Sequence, residues 1–132
     1  LVIAIIAILI GISIPIYQSF QTRNDLNLAT QTLVQSIRRT QTLSQAVDGD
    51  SNWGVYAETG KAVIFQGANY VSRVQDFDEI SNISENITLS GIQEIVFSKF
   101  SGIPQATGSL TLTSVSNSTN TISINIKGIV SY

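Results

Sequence analysis

The side chains that could support chemistry in this sequence are mostly carboxylates, because its 132 residues include no Cys and no His. This composition excludes thiol nucleophiles, imidazole acids and bases, disulfide bonds, and the Cys- and His-based sites that hold zinc. Two acidic groups remain, one at residues 48–52 and the other at residues 76–79. Either group could bind calcium, and the second could act as a carboxylate pair in glycoside hydrolysis.

The first acidic group has the start of a calcium-binding loop. Asp48, Asp50 and Asn52 fall at the first three ligand positions of an EF-hand loop. However, the sixth position is Trp53 where that loop needs Gly, and the twelfth is Thr59 where it needs Glu. We therefore interpret the segment as a polar loop that ends a helix, and we keep these three residues only as weak calcium candidates.

The second acidic group consists of Asp76, Asp78 and Glu79. No other catalytic constellation accompanies it in the sequence, so we interpret it as a solvated loop between strands. We accordingly predict neither an enzyme nor a cofactor.

Charge and surface composition limit the possible partners. The seven Lys and Arg residues are scattered and the net charge is -2, so no basic stripe is available to track a nucleic acid backbone. Asn-x-Ser/Thr sequons begin at Asn82, Asn86 and Asn117. We interpret them as part of a Ser-, Thr- and Asn-rich surface.

The chain begins with an apolar run, LVIAIIAILIGISIPIYQSF, at residues 1–20. From Leu1 to Tyr17 only Ser13 is clearly polar, and a helix of that length spans about 25 Å, slightly less than the ~30 Å hydrocarbon core of a bilayer. A secretory leader would need a shorter apolar region and a small-residue cleavage site, and a chain of this size could hardly enclose a helix that is apolar on every side. We therefore expect lipid, other copies of the chain, or both to cover the run. The residues expected in this contact are Leu1, Val2, Ile3, Ile5, Ile6, Ile8, Leu9, Ile10, Ile12, Ile14 and Ile16.

Gly11 and Pro15 make the weakest part of this helix. Pro15 cannot donate to the carbonyl of Gly11 and its ring clashes there, which costs an interior helix about 3 kcal/mol, while Gly11 adds roughly 1 kcal/mol. The segment between these two residues is therefore the place where we expect the helix to open locally once it is packed among its neighbours. A simple kink tolerated by lipid is the alternative.

Residues 21–47 predict the amphipathic continuation of the same helix, since no Gly or Pro occurs between Pro15 and Gly49. Leu26, Leu33 and Ile37 recur at helical spacing with Ala29, opposite a face of Gln, Arg and Thr. We expect this stripe to pack against a globular domain at residues 48–132.

Residues 48–132 change to a period of two, which is typical of strands with one buried face. A turn at Thr59 and Gly60 separates the first two strands within residues 53–67. Further strands are predicted at residues 69–74, 86–91, 94–100, 109–115 and 121–132. The fold class is therefore α+β, with one long helix on an antiparallel sheet of about six strands. We expect the last strands to be held by packing of Ile124, Ile126, Ile129 and Tyr132.

The N-terminal run resembles that of the type IV pilins and the pseudopilins of type II secretion. In both, a Leu-, Ile-, Val- and Ala-rich run leads to Ile-Pro and then an aromatic residue, which Ile14, Pro15 and Tyr17 match. Over the remainder the chain looks like the minor pseudopilins of the H type, through SIRRTQTLSQAV, WGVYAETGKAVIFQG and the terminal IKGIVSY.

The resemblance implies a pilin fold and a subunit held in the inner membrane. A peptidase would cut its leader before a Phe that becomes N-methylated, and an ATPase-driven machinery would then assemble copies into a surface filament. The expected partners are thus the bilayer, the assembly machinery and the chain itself. The family's Glu would fall about three residues before Leu1, so that Glu and the methylated Phe are expected upstream of this sequence. The alternatives are a minor pseudopilin of a secretion or DNA-uptake system, and a membrane-tethered extracytoplasmic binding module that does not polymerise.

Overall fold

The computed structural model describes residues 1–11 and 20–132. One long helix, α1 (Val2–Gln45), is followed by a 3-10 turn at Asp48–Asp50 and then by strands. The strands are β1 (Trp53–Glu58), β2 (Lys61–Gln66), β3 (Val74–Asn82), β4 (Thr88–Gly91), β5 (Glu94–Phe97), β6 (Gly108–Thr113), β7 (Thr119–Ile124) and β8 (Val130–Ser131). The α+β class is thus confirmed: an N-terminal helix packs on antiparallel sheet.

The second half of α1 presents one buried face, because its apolar residues recur every three or four positions. Leu26, Leu33 and Ile37 are buried in the core together with residues of both sheets. The helix ends where Ala46 donates its N–H to the carbonyl of Thr42, and Val47 then turns into a left-handed conformation with φ 56°. This reversal leads the chain back along the helix as β1.

The strands form two sheets, where the sequence had predicted one sheet of about six strands. The first has the order β3-β2-β1-β5 and the second the order β4-β6-β7-β8, each with antiparallel pairing. Helix α1 contacts β1, β2 and β5 of the first sheet and β6, β7 and β8 of the second. Both sheets therefore bury their apolar faces against the same helix.

The acidic residues 76–79 lie within strand β3, so the prediction of a loop there was wrong, and the strand predicted at residues 69–74 is mostly a turn. The turn folds over the sheet: the ring of Tyr70 stacks on Tyr56 with centroids 4.2 Å apart, and the guanidinium of Arg73 lies 3.9 Å from the Tyr70 centroid. Arg73 also donates to Asp78 at 2.8 Å. This ion pair balances one of the charges that made the segment look unsuitable for a strand.

The C-terminal segment packs less tightly than expected. Ile124 is buried, but Ile126, Ile129 and Tyr132 are exposed. The reason is that β7 ends at Ile124 and a turn follows, in which the side chain of Asn125 accepts the N–H groups of Lys127 and Ile129. Alternation of apolar and polar residues stops carrying information about burial once the strand has ended.

Candidate functional site

The most unusual surface of the molecule is the start of α1, since every residue from 1 to 11 is exposed. Ile3 is 84% exposed and even the least exposed large side chain there, that of Ile6, is 51% exposed. The large apolar residues on this surface are Leu1, Val2, Ile3, Ile5, Ile6, Ile8, Leu9 and Ile10. Soluble surfaces rarely keep so continuous an apolar area uncovered, so this segment is a candidate interaction surface.

Some predicted residues of this surface lie outside the described residues, namely Ile12, Ile14, Pro15 and Ile16. The local opening expected between Gly11 and Pro15 therefore stays a prediction. Gly11 itself is exposed, and a Cβ added there would meet no atom within 4 Å.

Within residues 1–11 and 20–132, no helical segment is both long enough and apolar enough to cross a membrane.

The second half of α1 is anchored by buried hydroxyl groups as well as by its apolar stripe. Thr30, Ser36 and Thr40 are buried and donate to backbone carbonyls of the preceding helical turn at 2.7–2.8 Å. The Thr30 hydroxyl also accepts a hydrogen bond from the side chain of Asn120 at 3.0 Å, which ties the helix to β7. This role was not predicted from the sequence, although small hydroxyl residues recur at helical spacing between the Leu and Ile positions.

Ser44 joins the helix to the first sheet. Its hydroxyl accepts from the backbone N–H of Trp53 at 3.2 Å and donates to the carbonyl of Phe97 at 3.1 Å. Trp53 and Phe97 are partners in the register of β1 and β5, so the hydroxyl stands between a backbone donor and a backbone acceptor that face each other. The end of the helix is thereby fixed to two strands at once.

The candidate calcium loop is held by hydrogen bonds within the chain. A carboxylate oxygen of Asp50 accepts from the Lys99 ammonium at 2.8 Å, and the side-chain oxygen of Asn52 accepts from the Lys99 backbone N–H at 2.9 Å. Asp48 contributes its backbone carbonyl to the indole N–H of Trp53. In the part of the chain that the structure describes, no three His, Cys, Asp or Glu residues are arranged to hold a metal ion.

The carboxylates of β3 pair with two different arginines. Asp78 pairs with Arg73, while Glu79 accepts two hydrogen bonds from Arg39 of α1 at 2.6 and 2.7 Å. The hydrogen bonds from Arg39 hold the pKa of Glu79 below its ordinary value, with burial opposing the shift. These contacts link β3 to the turn that carries Arg73 and to helix α1. Asp78 and Glu79 are each paired with an arginine and do not form a carboxylate pair with each other.

The three sequon residues Asn82, Asn86 and Asn117 are all exposed, in keeping with their interpretation as polar surface. Asn117 lies at the tip of the β6–β7 hairpin with φ 62°, a left-handed conformation that Asn accepts more readily than most residues.

No protein family, no curated protein and no solved structure matches this chain.

Proposed function

We propose that this chain is a structural subunit, a pilin, of a type IV pilus or a related filament. In this proposal the apolar run at its start holds the subunit in a bilayer before assembly and packs against the same segment of other copies afterwards. The domain formed by the rest of α1 and the two sheets then faces outward. The pilin fold is part of the proposal.

The observation that carries the proposal is the exposure of residues 1–11 beside a well-packed domain. Burying a large aliphatic side chain contributes about 1.5–3 kcal/mol. Burial of the eight large apolar side chains of this segment would therefore be favourable by on the order of 10–20 kcal/mol. This is similar to the whole stability of a typical domain, about 5–15 kcal/mol. A chain carrying such a segment in water is therefore driven to insert or to associate.

Either lipid or the packed helices of other copies of this chain could bury this segment. A helix satisfies its own backbone hydrogen bonds, so it loses none when it moves from one apolar surrounding to the other. Because the large side chains of residues 1–11 occur on all sides of the helix, several neighbours are needed to cover them. A filament supplies several neighbours, whereas one partner in a dimer covers a single face.

Assembly of the purified chain tests the proposal. The chain is held in detergent, the detergent is removed, and the product is examined by sedimentation and negative-stain electron microscopy. We expect fibres of uniform diameter from the unchanged chain. The double variant Ile3→Asp/Ile8→Asp, which places charges on two different faces of the helix, should form none.

A matched control introduces the same charge outside the apolar segment, as Asn24→Asp/Asn27→Asp, since both of these residues are exposed on α1. The control should assemble as the unchanged chain does. If the unchanged chain stays monomeric or only joins lipid vesicles, the tethered module becomes the better assignment. Fibres from the Ile3→Asp/Ile8→Asp variant would equally refute the proposal.

A further inference from the structure

The globular domain carries a second uncovered apolar surface, the distal patch, on residues 98–104 and on residues 125–132, which include the short strand β8. The two segments meet at Gln41 of α1, whose side-chain amide donates to the carbonyl of Gly102 at 3.0 Å and lies 3.4 Å from that of Lys127. Five large apolar side chains of these two segments are more than half exposed. They are Phe100, Ile103, Ile126, Ile129 and Tyr132.

Phe100 shows that the patch is not optimised for the stability of the isolated subunit. Its φ is 70°, a left-handed conformation that is a true outlier for a bulky residue, and its side chain is nevertheless 70% exposed. The backbone has a reason for this conformation, because the Phe100 N–H reaches the carbonyl of Ser44 at 3.0 Å and closes the end of α1. Gly or Asn would make the same turn with less strain, so the turn does not explain the choice of an aromatic side chain.

We infer that the distal patch is the surface on which the apolar start of α1 from a second copy of this chain docks. The inference rests on the proposed function, because it assigns the acceptor surface within the filament. Residues 1–11 carry no charged side chain, and the patch presents two aromatic rings and three Ile side chains as an apolar counterpart. Cationic groups border it, because Lys99 and Arg38 each lie 5.8 Å from the ring centroid of Phe100 and of Tyr132, respectively. Each copy carries both surfaces, so donor and acceptor are always present in equal number.

The positions of the two surfaces determine the type of assembly. The two surfaces are different parts of one chain and lie at opposite ends of α1, so a contact between them is heterologous. After every addition, one apolar helix start and one distal patch remain free. Contacts of this kind form rings or open filaments. The distal patch thus gives a direct reason for growth by head-to-tail addition.

The size of the patch indicates a weak single contact. With about 100 Å² for each of the five side chains, the exposed apolar area is on the order of 500 Å², which is similar to the largest apolar patch of a typical monomer and below the ~800 Å² per partner of a standard interface. One contact should therefore not give a stable dimer. A subunit that makes this contact together with helix–helix contacts to other neighbours would be held firmly.

Assembly of Phe100→Gly tests the inference without weakening the fold. Glycine keeps the N–H that closes α1 and adopts positive φ without strain, so the melting temperature should be unchanged or higher. Loss of a central aromatic contact should raise the chain concentration needed for filament formation about ten-fold. The matched control is Val71→Gly, which removes a 92% exposed side chain from the loop over the first sheet and should leave that concentration unchanged.

Crosslinking identifies the contact directly, because the chain contains no Cys of its own. The Ile126→Cys variant, carrying a size tag, is assembled with the untagged Ile6→Cys variant, and the mixture is oxidised. In the control, tagged Val71→Cys takes the place of tagged Ile126→Cys. We expect a tagged–untagged disulfide dimer at least five-fold more abundant with Ile126→Cys than with Val71→Cys.

The outcomes separate the two proposals. If the unchanged chain forms no filaments, the proposed function fails and the inference fails with it. If filaments form equally well from Phe100→Gly and the mixed dimer is no more abundant than in the control, the distal patch is not the acceptor and the filament proposal stands.

Discussion

Replacing Ser44 with Ala should destabilise the fold far more than the loss of one surface hydroxyl would. Ser44 is fully buried, and its hydroxyl bridges the N–H of Trp53 and the carbonyl of Phe97. In Ser44→Ala the buried N–H loses its acceptor, which costs about 1–3 kcal/mol, and the carbonyl loses a donor worth about 0.5–1.5 kcal/mol. The higher helix propensity of Ala offsets up to roughly 0.5 kcal/mol. We expect a net loss of about 2–3 kcal/mol.

The assay is thermal unfolding of the full chain in detergent micelles, followed by circular dichroism. For a chain of this size a loss of 1 kcal/mol lowers the melting temperature by roughly 4 °C, so Ser44→Ala, with a loss of about 2–3 kcal/mol, should melt some 8–12 °C lower. Thr42→Ala is the matched control, because its exposed hydroxyl only returns to the carbonyl of Arg38 in the same helix at 3.0 Å. That variant should stay within about 0.5 kcal/mol of the unchanged chain.

A small effect would refute the reasoning about Ser44. If Ser44→Ala and Thr42→Ala melt at the same temperature, then Trp53 and Phe97 must bond to each other directly once the hydroxyl is gone. The helix would then be joined to the first sheet by apolar packing alone, and the bridging hydroxyl would have no energetic role.

Two further predictions concern α1 and its contacts. Leu33 is 1% exposed, so Leu33→Ala should lower the free energy of unfolding by about 2–5 kcal/mol. Leu28 lies on the exposed side, so Leu28→Ala should lower it by less than about 1 kcal/mol. Both values are measured by chemical denaturation, and equal losses of stability would contradict the assigned helix face. The bond from Arg39 lowers the pKa of Glu79, so the stabilisation is complete above the ordinary value of 4.5 and is lost as the pH falls through the lowered pKa. Glu79→Gln should therefore flatten the decline of stability in this acidic range, and an unchanged acid profile would show that the pair does not stabilise the fold.

The helix and most strands could be predicted from the sequence because burial follows simple periods. Leu26, Leu33 and Ile37 mark one face of a helix, and Leu110 and Leu112 alternate with polar residues along β6. The division into two sheets could not be predicted, since alternation tells which face of a strand is buried and nothing about its neighbours. Strand β3 was missed for a related reason: the arginines that balance its acidic residues come from a turn and from the helix, through contacts that local sequence does not reveal.

The candidate surfaces could likewise be predicted from the sequence only in part. The apolar run is continuous in sequence and so is visible there, whereas the distal patch joins residues around Ile103 to residues around Ile129 and exists only after folding. A local signal was nevertheless available for its second segment, because Gly128 adopts φ 79° in the turn that ends the alternation after Ile124. Reading that glycine as a turn would have placed Ile126 and Ile129 outside the strand.

The path of the chain between the two sheets has a mechanical consequence. After β3 the chain leaves the first sheet to form β4 in the second, returns to form β5, and leaves again to form β6. Neither sheet is therefore built from one continuous segment, and the chain crosses between the two sheets three times. Tension applied along α1 would load both sheets together, so we expect a pulled subunit to yield in a single step and to hold its shape until that step.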